Sequence, residues 1–259
     1  MNMNARIARL FDLSEHVALV TGGNSGIGKA IAWALAAAGA SVVLVARRAA
    51  ELDTTVAEFG HEGLKAASLP CDLADREAMK GFAQRAARPF GAPDILVNAS
   101  GINIRKPFPD LTDDDWDATI AINLTAPFLL TRALAPAMRD RGWGRIVNIA
   151  SLQSVRAFPN SAPYGASKGG MMQLTRATAE YWSKYGVTCN AIAPGFFATP
   201  LTAPVFADPE RVEAMARRTM AGRNGDLADL HGTAVFLASE ASAYLSGQTL
   251  FVDGGFSAG

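Results

Sequence analysis

Thr21-Gly22-Gly23-Asn24-Ser25-Gly26-Ile27-Gly28, set between the apolar run 16–21 and the Ala-rich run 27–38, decides how this chain is read. Glycine lacks a Cβ, so such a loop can turn tightly and bring its backbone up to a pyrophosphate. The helix that follows then offers unpaired N–H groups and a favourable dipole. The spacing of Gly22, Gly26 and Gly28 is G-x-x-x-G-x-G rather than the common G-x-G-x-x-G. Its position after a first strand and before a first helix therefore carries the argument for a dinucleotide site.

Outward from this loop, strand-length apolar runs recur at 16–21, 41–46, 64–70, 94–98, 145–150, 187–192 and 249–253. Val, Ile and Leu fill them almost continuously, the pattern of parallel strands covered on both faces. Between them, 27–38, 49–59, 75–88, 113–141, 163–185 and 226–237 carry apolar residues near helical spacing. This alternation predicts an α/β fold, a doubly wound (Rossmann-type) parallel seven-stranded sheet with helices on both faces. No linker, charge block or repeat divides the chain, so 1–259 reads as a single domain. The segment 195–222 breaks the rhythm and reads as a substrate lid within it; Phe196, Phe197, Phe206 and Met215 there either close over a ligand or pack the lid itself.

Composition narrows the partners. The 259 residues hold 24 basic and 24 acidic side chains and are 49% hydrophobic, which excludes a disordered chain and gives no basic face for nucleic acid or an anionic membrane. The longest uncharged stretch, 30–46, is split by Gly39 into helix and strand and reads as core. Residues 11–15 do not form a signal-peptide apolar region, so a cytoplasmic location is expected. Cys71 and Cys189 are distant and unpatterned and read as buried free thiols; His16, His61 and His231 show no ligand spacing, so no metal is expected.

At the end of the second strand, where an acidic residue would bond the ribose of NAD, stand Ala46, Arg47 and Arg48. Arg47 can meet a 2′-phosphate with charge-assisted hydrogen bonds, which favours NADP and leaves NAD possible. Asp72 and Leu73 end the third strand and Asn98 the fourth; with Gly22, Asn24, Ser25, Gly26, Ile27 and Gly28 they make up the nucleotide side of the expected cofactor site.

Tyr164 and Lys168, four apart, share one helix face, and Ser151 closes the fifth strand thirteen residues earlier. Together with 21–28, Asn98-Ala99-Ser100-Gly101, Pro194-Gly195 and Asp253-Gly254-Gly255, these residues resemble the short-chain dehydrogenase/reductase family, from about 16 to 256. One departure is visible: the family's Asn-Asn-Ala-Gly is here Asn98-Ala99-Ser100-Gly101, which is expected to alter packing beside the nucleotide and leave activity intact.

The resemblance implies a catalytic set of Asn123, Ser151, Tyr164 and Lys168, with Tyr164 as acid/base, Ser151 holding the substrate oxygen and Asn123 anchoring a relay water. Lys168 would favour the Tyr164 phenolate and bind the nicotinamide ribose, and Pro194, Gly195 and Thr199 would lie by the carboxamide. It also implies a homotetramer. Polar candidates for the substrate are Asn103, Arg105 and Lys106 after the fourth strand and Gln153 and Arg156 after the serine; a cation there can pair with a carboxylate. The run Gly101-Ile102-Asn103-Ile104-Arg105-Lys106-Pro107 looks like that of sugar-acid dehydrogenases, the gluconate 5-dehydrogenase and 2-deoxygluconate 3-dehydrogenase groups. The expected function is NADP-dependent interconversion of a secondary alcohol and a ketone on a sugar acid or related polyhydroxy compound. Alternatives are 3-oxoacyl-thioester reduction, with Arg139, Arg141 and Arg145 as a docking surface for an acyl carrier, and a non-catalytic NADP(H) sensor.

Overall fold

Val42, Val43, Leu44 and Val45 are all fully buried, because alternate side chains of a strand point to opposite faces and here both faces are covered. Val42 and Leu44 join one apolar cluster with Ile31, Leu35 and Leu237, whereas Val43 and Val45 join a second with Phe82, Leu130 and Met138. Each such side chain removed from water contributes about 1.5–3 kcal/mol.

The computed structural model describes residues 4–259. In chain order it comprises α1 (Ala5–Arg9), β1 (Val17–Thr21), α2 (Gly26–Ala37), β2 (Ser41–Ala46), α3 (Ala49–His61), β3 (Ala66–Pro70), α4 (Phe82–Ala87), β4 (Ile95–Asn98), α5 (Asp113–Ile120), α6 (Ala126–Arg141), β5 (Gly144–Ile149), α7 (Ala162–Trp182), β6 (Val187–Pro194), α8 (Ala203–Phe206), α9 (Pro209–Arg217), α10 (His231–Ala238) and β7 (Thr249–Val252). The strands form one seven-stranded sheet in the order β3-β2-β1-β4-β5-β6-β7, parallel throughout. The order reverses between β1 and β4, and the crevice that opens there beyond the strands' carboxyl ends is where an open parallel sheet binds ligands.

Three segments differ from the sequence reading. The helix expected at 75–88 is confined to α4, because Asp72 accepts a bond from the Ala74 amide and Asp75 one from that of Glu77, holding the chain in side-chain-closed turns. The run 113–141 is broken at the π-helical turn Ala121–Thr125. Pro127 has no N–H to donate to the Asn123 carbonyl, so the α-helical ladder cannot continue through that point. By length and composition this run could cross a membrane; in the fold α6 packs Leu130, Leu134, Ala135 and Met138 into the core. The segment 195–222 holds two helices, α8 and α9. Asp208 caps α9 by accepting from the Glu210 and Arg211 amides, with Pro209 at the first turn, an Asp-Pro helix start that the sequence displayed.

Candidate active site

The loop after β1 explains its own glycines. Gly22 has φ +68°, and a Cβ on Gly28 would stand 2.3 Å from the Gly22 carbonyl oxygen, so only a glycine lets α2 begin this close beneath the turn. Ser25 caps α2 without bonding its first amides, which leaves the helix N-terminus open to an anion. Gly22, Asn24, Ser25, Gly26, Ile27, Gly28, Arg47, Asp72, Leu73, Pro194, Gly195, Thr199, Tyr164 and Lys168, all named from the sequence as cofactor contacts, line one groove of about 360 Å³. These close glycine contacts, the open helix start and a nearby cation form a cradle that fits a phosphorylated dinucleotide.

The two arginines after β2 part company. Arg48 pairs with Glu51, which also accepts from Asn24 Nδ2 at 2.6 Å. Arg47 is exposed and has no hydrogen-bond or ion-pair partner among the described residues, so it is the guanidinium available to a 2′-phosphate.

Asn98 is a correction. Its side chain is 2% exposed and lies outside the groove, donating through Nδ2 to Asn148 Oδ1 at 2.8 Å. Asn148 donates onward to Thr175 Oγ1 at 2.9 Å, so the two asparagines form a buried polar row tying β4 to β5 and α7. The nucleotide side is lined instead by Ala99, Ser100 and Gly101. The Ala99 and Ser100 amides both donate to Thr21 Oγ1 at 3.0 Å, which fixes this departure from the family pattern against β1.

Ser151, Tyr164 and Lys168 meet at the other end of the groove. Ser151 Oγ accepts from the Gln153 amide at 3.1 Å, while Ser154 Oγ accepts from the Ser151 amide at 3.2 Å and donates to the Lys168 carbonyl at 2.8 Å. The serine turn is thereby bolted to α7, a role for Ser154 that the Ser-x-x-Ser capping pattern encoded and the sequence reading did not use. Lys168 Nζ donates to the Ile149 carbonyl at 2.5 Å and lies 5.6 Å from the Tyr164 ring centre. Burial pulls the lysine down to a pKa of about 8.

Burial raises the Tyr164 phenol above its ordinary value; the Ser151 hydroxyl and the Arg105 guanidinium act against that rise. Arg105 is thus a second cation beside the phenol, in addition to Lys168, whose ammonium lies against the same ring.

Asn123 is fully buried, and its side chain does not reach the groove. It donates to the Ile102 carbonyl at 2.9 Å and to Ser167 Oγ at 3.0 Å and accepts from the Ile102 amide at 2.9 Å. The amide is fully engaged in joining the loop after β4 to α7. What Asn123 can offer a water is its main-chain carbonyl, whose α-helical donor Pro127 lacks.

Of the substrate candidates, Asn103, Arg105 and Gln153 line the groove, and the Gln153 Oε1 atom is buried without a hydrogen-bond partner among the described residues. Arg156 is a correction: it lies outside the groove and donates to the main-chain oxygens of Ser257 and Gly259 at 3.3 and 3.0 Å. Lys106 is taken by Asp115 at 2.6 Å. In the lid segment, Phe196 and Phe197 line the groove, but Phe197 and Met215 are buried at 2% and 9% exposure and serve as packing. Phe158, Leu201 and Thr202 also line it; no sequence pattern marked them, since only the folding of distant loops over one another puts them there.

The proposed carrier-docking arginines do not form a patch. Arg145 is 2% exposed and bonded to Ser239 and Glu240, Arg139 is paired with Asp140, and Arg141 donates to the Pro93 carbonyl.

Residues 22–257 match the family profile described as Enoyl-(Acyl carrier protein) reductase. The gluconate 5-dehydrogenase of Gluconobacter oxydans is 44% identical over 246 residues, covering 95% of this chain and 96% of that protein. The 5-keto-D-gluconate 5-reductase of Escherichia coli K12 is 35% identical, over 95% and 97%. Among solved structures, a gluconate 5-dehydrogenase from Burkholderia cenocepacia in complex with NADP and tartrate superimposes with a TM-score of 0.93 at 39% identity, covering 98% of this chain and 99% of that one.

Proposed function

The chain belongs to the short-chain dehydrogenase/reductase family, and from that membership and the groove's chemistry we propose that it interconverts a secondary alcohol and a ketone on a sugar acid, using NADP. The observation that carries the reading is Arg105: its guanidinium lines the same groove as Ser151 and Tyr164 and acts to lower the Tyr164 phenol, so a substrate carboxylate there would neutralise it. Asn103 and the orphaned Gln153 oxygen supply hydrogen-bonding partners for hydroxyl groups beside it. Relatives named for gluconate and 5-keto-D-gluconate chemistry, at 44% and 35% identity, support the same substrate class. The 3-oxoacyl-thioester reading lacks its cationic docking patch, and a non-catalytic sensor would have no use for Ser151, Tyr164 and Lys168 in one pocket.

In oxidation, Tyr164 as phenolate takes the proton of the substrate hydroxyl; in reduction, as phenol, it returns one. Ser151 donates to the substrate oxygen and holds it against Tyr164. Lys168 would hold the nicotinamide ribose and, as an ammonium below its pKa of about 8, stabilises developing phenolate charge. A water on the Asn123 carbonyl would pass that proton to solvent. Gly22 to Gly28 and Arg47 would hold the phosphates, with Asp72 and Leu73 on the adenine side and Pro194, Gly195 and Thr199 by the carboxamide. The bound nicotinamide supplies or accepts the hydride.

Initial rates across sugar acids, polyols and simple alcohols, with NADP and NAD in parallel, test this reading. Sugar acids should be preferred, and Arg105→Gln should raise their KM about 10- to 100-fold, as expected for losing a charge-assisted pair, with little effect on neutral alcohols. Arg47→Ala should raise KM for NADP about 30-fold and leave that for NAD unchanged. Oxidation of neutral alcohols alone would overturn the substrate assignment.

We also take the chain to be one domain, since a single apolar cluster gathers Leu13, Leu44, Ile149, Ile192 and Leu237, with 195–222 as its lid. We carry over a homotetramer from the family resemblance, with Trp116 on α5 and Phe128 on α6, 47% and 46% exposed, as candidate contacts between chains; light scattering should return the mass of four chains. Two buried free thiols suit a cytoplasmic enzyme.

A further inference from the structure

The last residues of the chain fold back over the reacting end of the groove, and their contacts converge on one ring. Phe256 is 4% exposed. Its ring stacks on Phe158 with centres 6.3 Å apart and meets Phe196 edge-on at 5.2 Å, and Phe158 and Phe196 meet each other edge-on at 6.1 Å. Both partners line the groove; Phe158 belongs to the loop that begins at Ser151, and Phe196 opens the lid segment. Arg218, just past α9, covers Phe256 with its guanidinium carbon 4.5 Å from the ring centre.

The turn that presents this ring is closed from two sides. Asp253 accepts from the Gly255 and Ser257 amides, both at 2.9 Å. Arg156, on the serine loop, donates to the Ser257 and Gly259 oxygens and lies 5.9 Å from the Phe256 ring centre. Serine loop, lid and C-terminal turn are thus joined through Arg156 and Phe256, and none of these contacts reaches the phosphate end of the groove.

We propose that Arg156 and Phe256 are positioning residues for substrate: they clamp the C-terminal turn onto the serine loop and so hold Phe158 and Phe196 as the wall of the substrate pocket. The aromatic cluster fixes the pocket's width through packing that tolerates little displacement, and the Arg156 bonds to main-chain oxygens hold the turn in register. This rests on the groove being the catalytic one, but not on which alcohol it takes.

Arg156→Ala and Phe256→Leu test it, assayed with whichever alcohol the wild-type enzyme oxidises best. A failure of the sugar-acid assignment then leaves this test intact. KM for the alcohol should rise about tenfold in both variants, with kcat and the NADPH dissociation constant, read by fluorescence, within twofold of wild type. Arg156→Lys, which keeps a donor for the main-chain oxygens, should recover most of the loss. An unchanged alcohol KM would overturn the proposal. So would a parallel weakening of NADPH binding and substrate affinity that follows a falling Tm, the mark of a purely structural role, or an Arg156→Lys variant as impaired as Arg156→Ala.

Discussion

Tyr164→Phe is expected to lower kcat about 1000-fold in both directions at neutral pH while NADPH still binds, because it removes the one group placed to exchange a proton with the substrate oxygen and leaves the ring's packing in place. General acid–base catalysis typically contributes 10²–10⁴-fold, and the expected loss lies about midway in that span. The pH dependence carries the sign. Burial raises the phenol above its ordinary value, so at neutral pH Tyr164 is protonated and ready to serve reduction. Oxidation needs the phenolate, and its rate should climb through the alkaline range while that of reduction falls. Arg105→Gln removes an influence that lowers the phenol's pKa and should move both limbs to higher pH, separately from its effect on substrate KM. Rate profiles of the wild type and the two variants check this; a Tyr164→Phe enzyme within tenfold of wild type would remove Tyr164 from its role.

Lys168→Met should cost activity on the order of 100-fold and at the same time stabilise the fold. A lysine that titrates at about 8 instead of 10.5 is a charge held where water is scarce. Between those values the unfolded chain binds more protons than the folded one, so wild-type stability rises with pH through that window and the full penalty is present below it. At about 1.4 kcal/mol per unit the shift amounts to something on the order of 3 kcal/mol. Losing the bond to the Ile149 carbonyl offsets about 1 kcal/mol of that. Thermal unfolding at pH 7 should therefore show a Tm several degrees above wild type, the gap closing as pH rises toward 10.5. A lowered Tm at pH 7 would mean that Lys168 is held by compensating contacts.

The same lysine shows why function and stability diverge in this pocket. Its apolar enclosure holds its titration near physiological pH, where its charge responds to whatever binds beside it, and that enclosure is also what destabilises the folded chain.

Much of this was legible in the sequence because its causes are local. Gly22 and Gly28 are dictated by a turn and a helix start a few residues apart, and Tyr164 and Lys168 face together because four residues make about one helical turn. The nearly continuous Val, Ile and Leu runs of β2 and β4 pointed to a sheet covered on both sides. From such local rules followed the sheet and the cofactor end, whereas the catalytic trio was implied by the family resemblance.

What the sequence left undecided was which distant group each polar side chain would meet. Arg47 and Arg48 are alike by type, and what separates them is still local: Arg48 pairs with Glu51 three residues on, across the first turn of α3, and leaves Arg47 open. The sequence points Asn98 to the nucleotide, but as the last residue of β4 its side chain is directed toward Asn148, its cross-strand neighbour on β5. Its place after the catalytic serine points Arg156 to the substrate, and a turn 101 residues further along the chain claims it instead. A hydrogen bond is satisfied by whichever partner the packed core brings within about 3 Å. That choice is made by the sheet's register and the docking of the C-terminal turn, and it has no signature in local spacing.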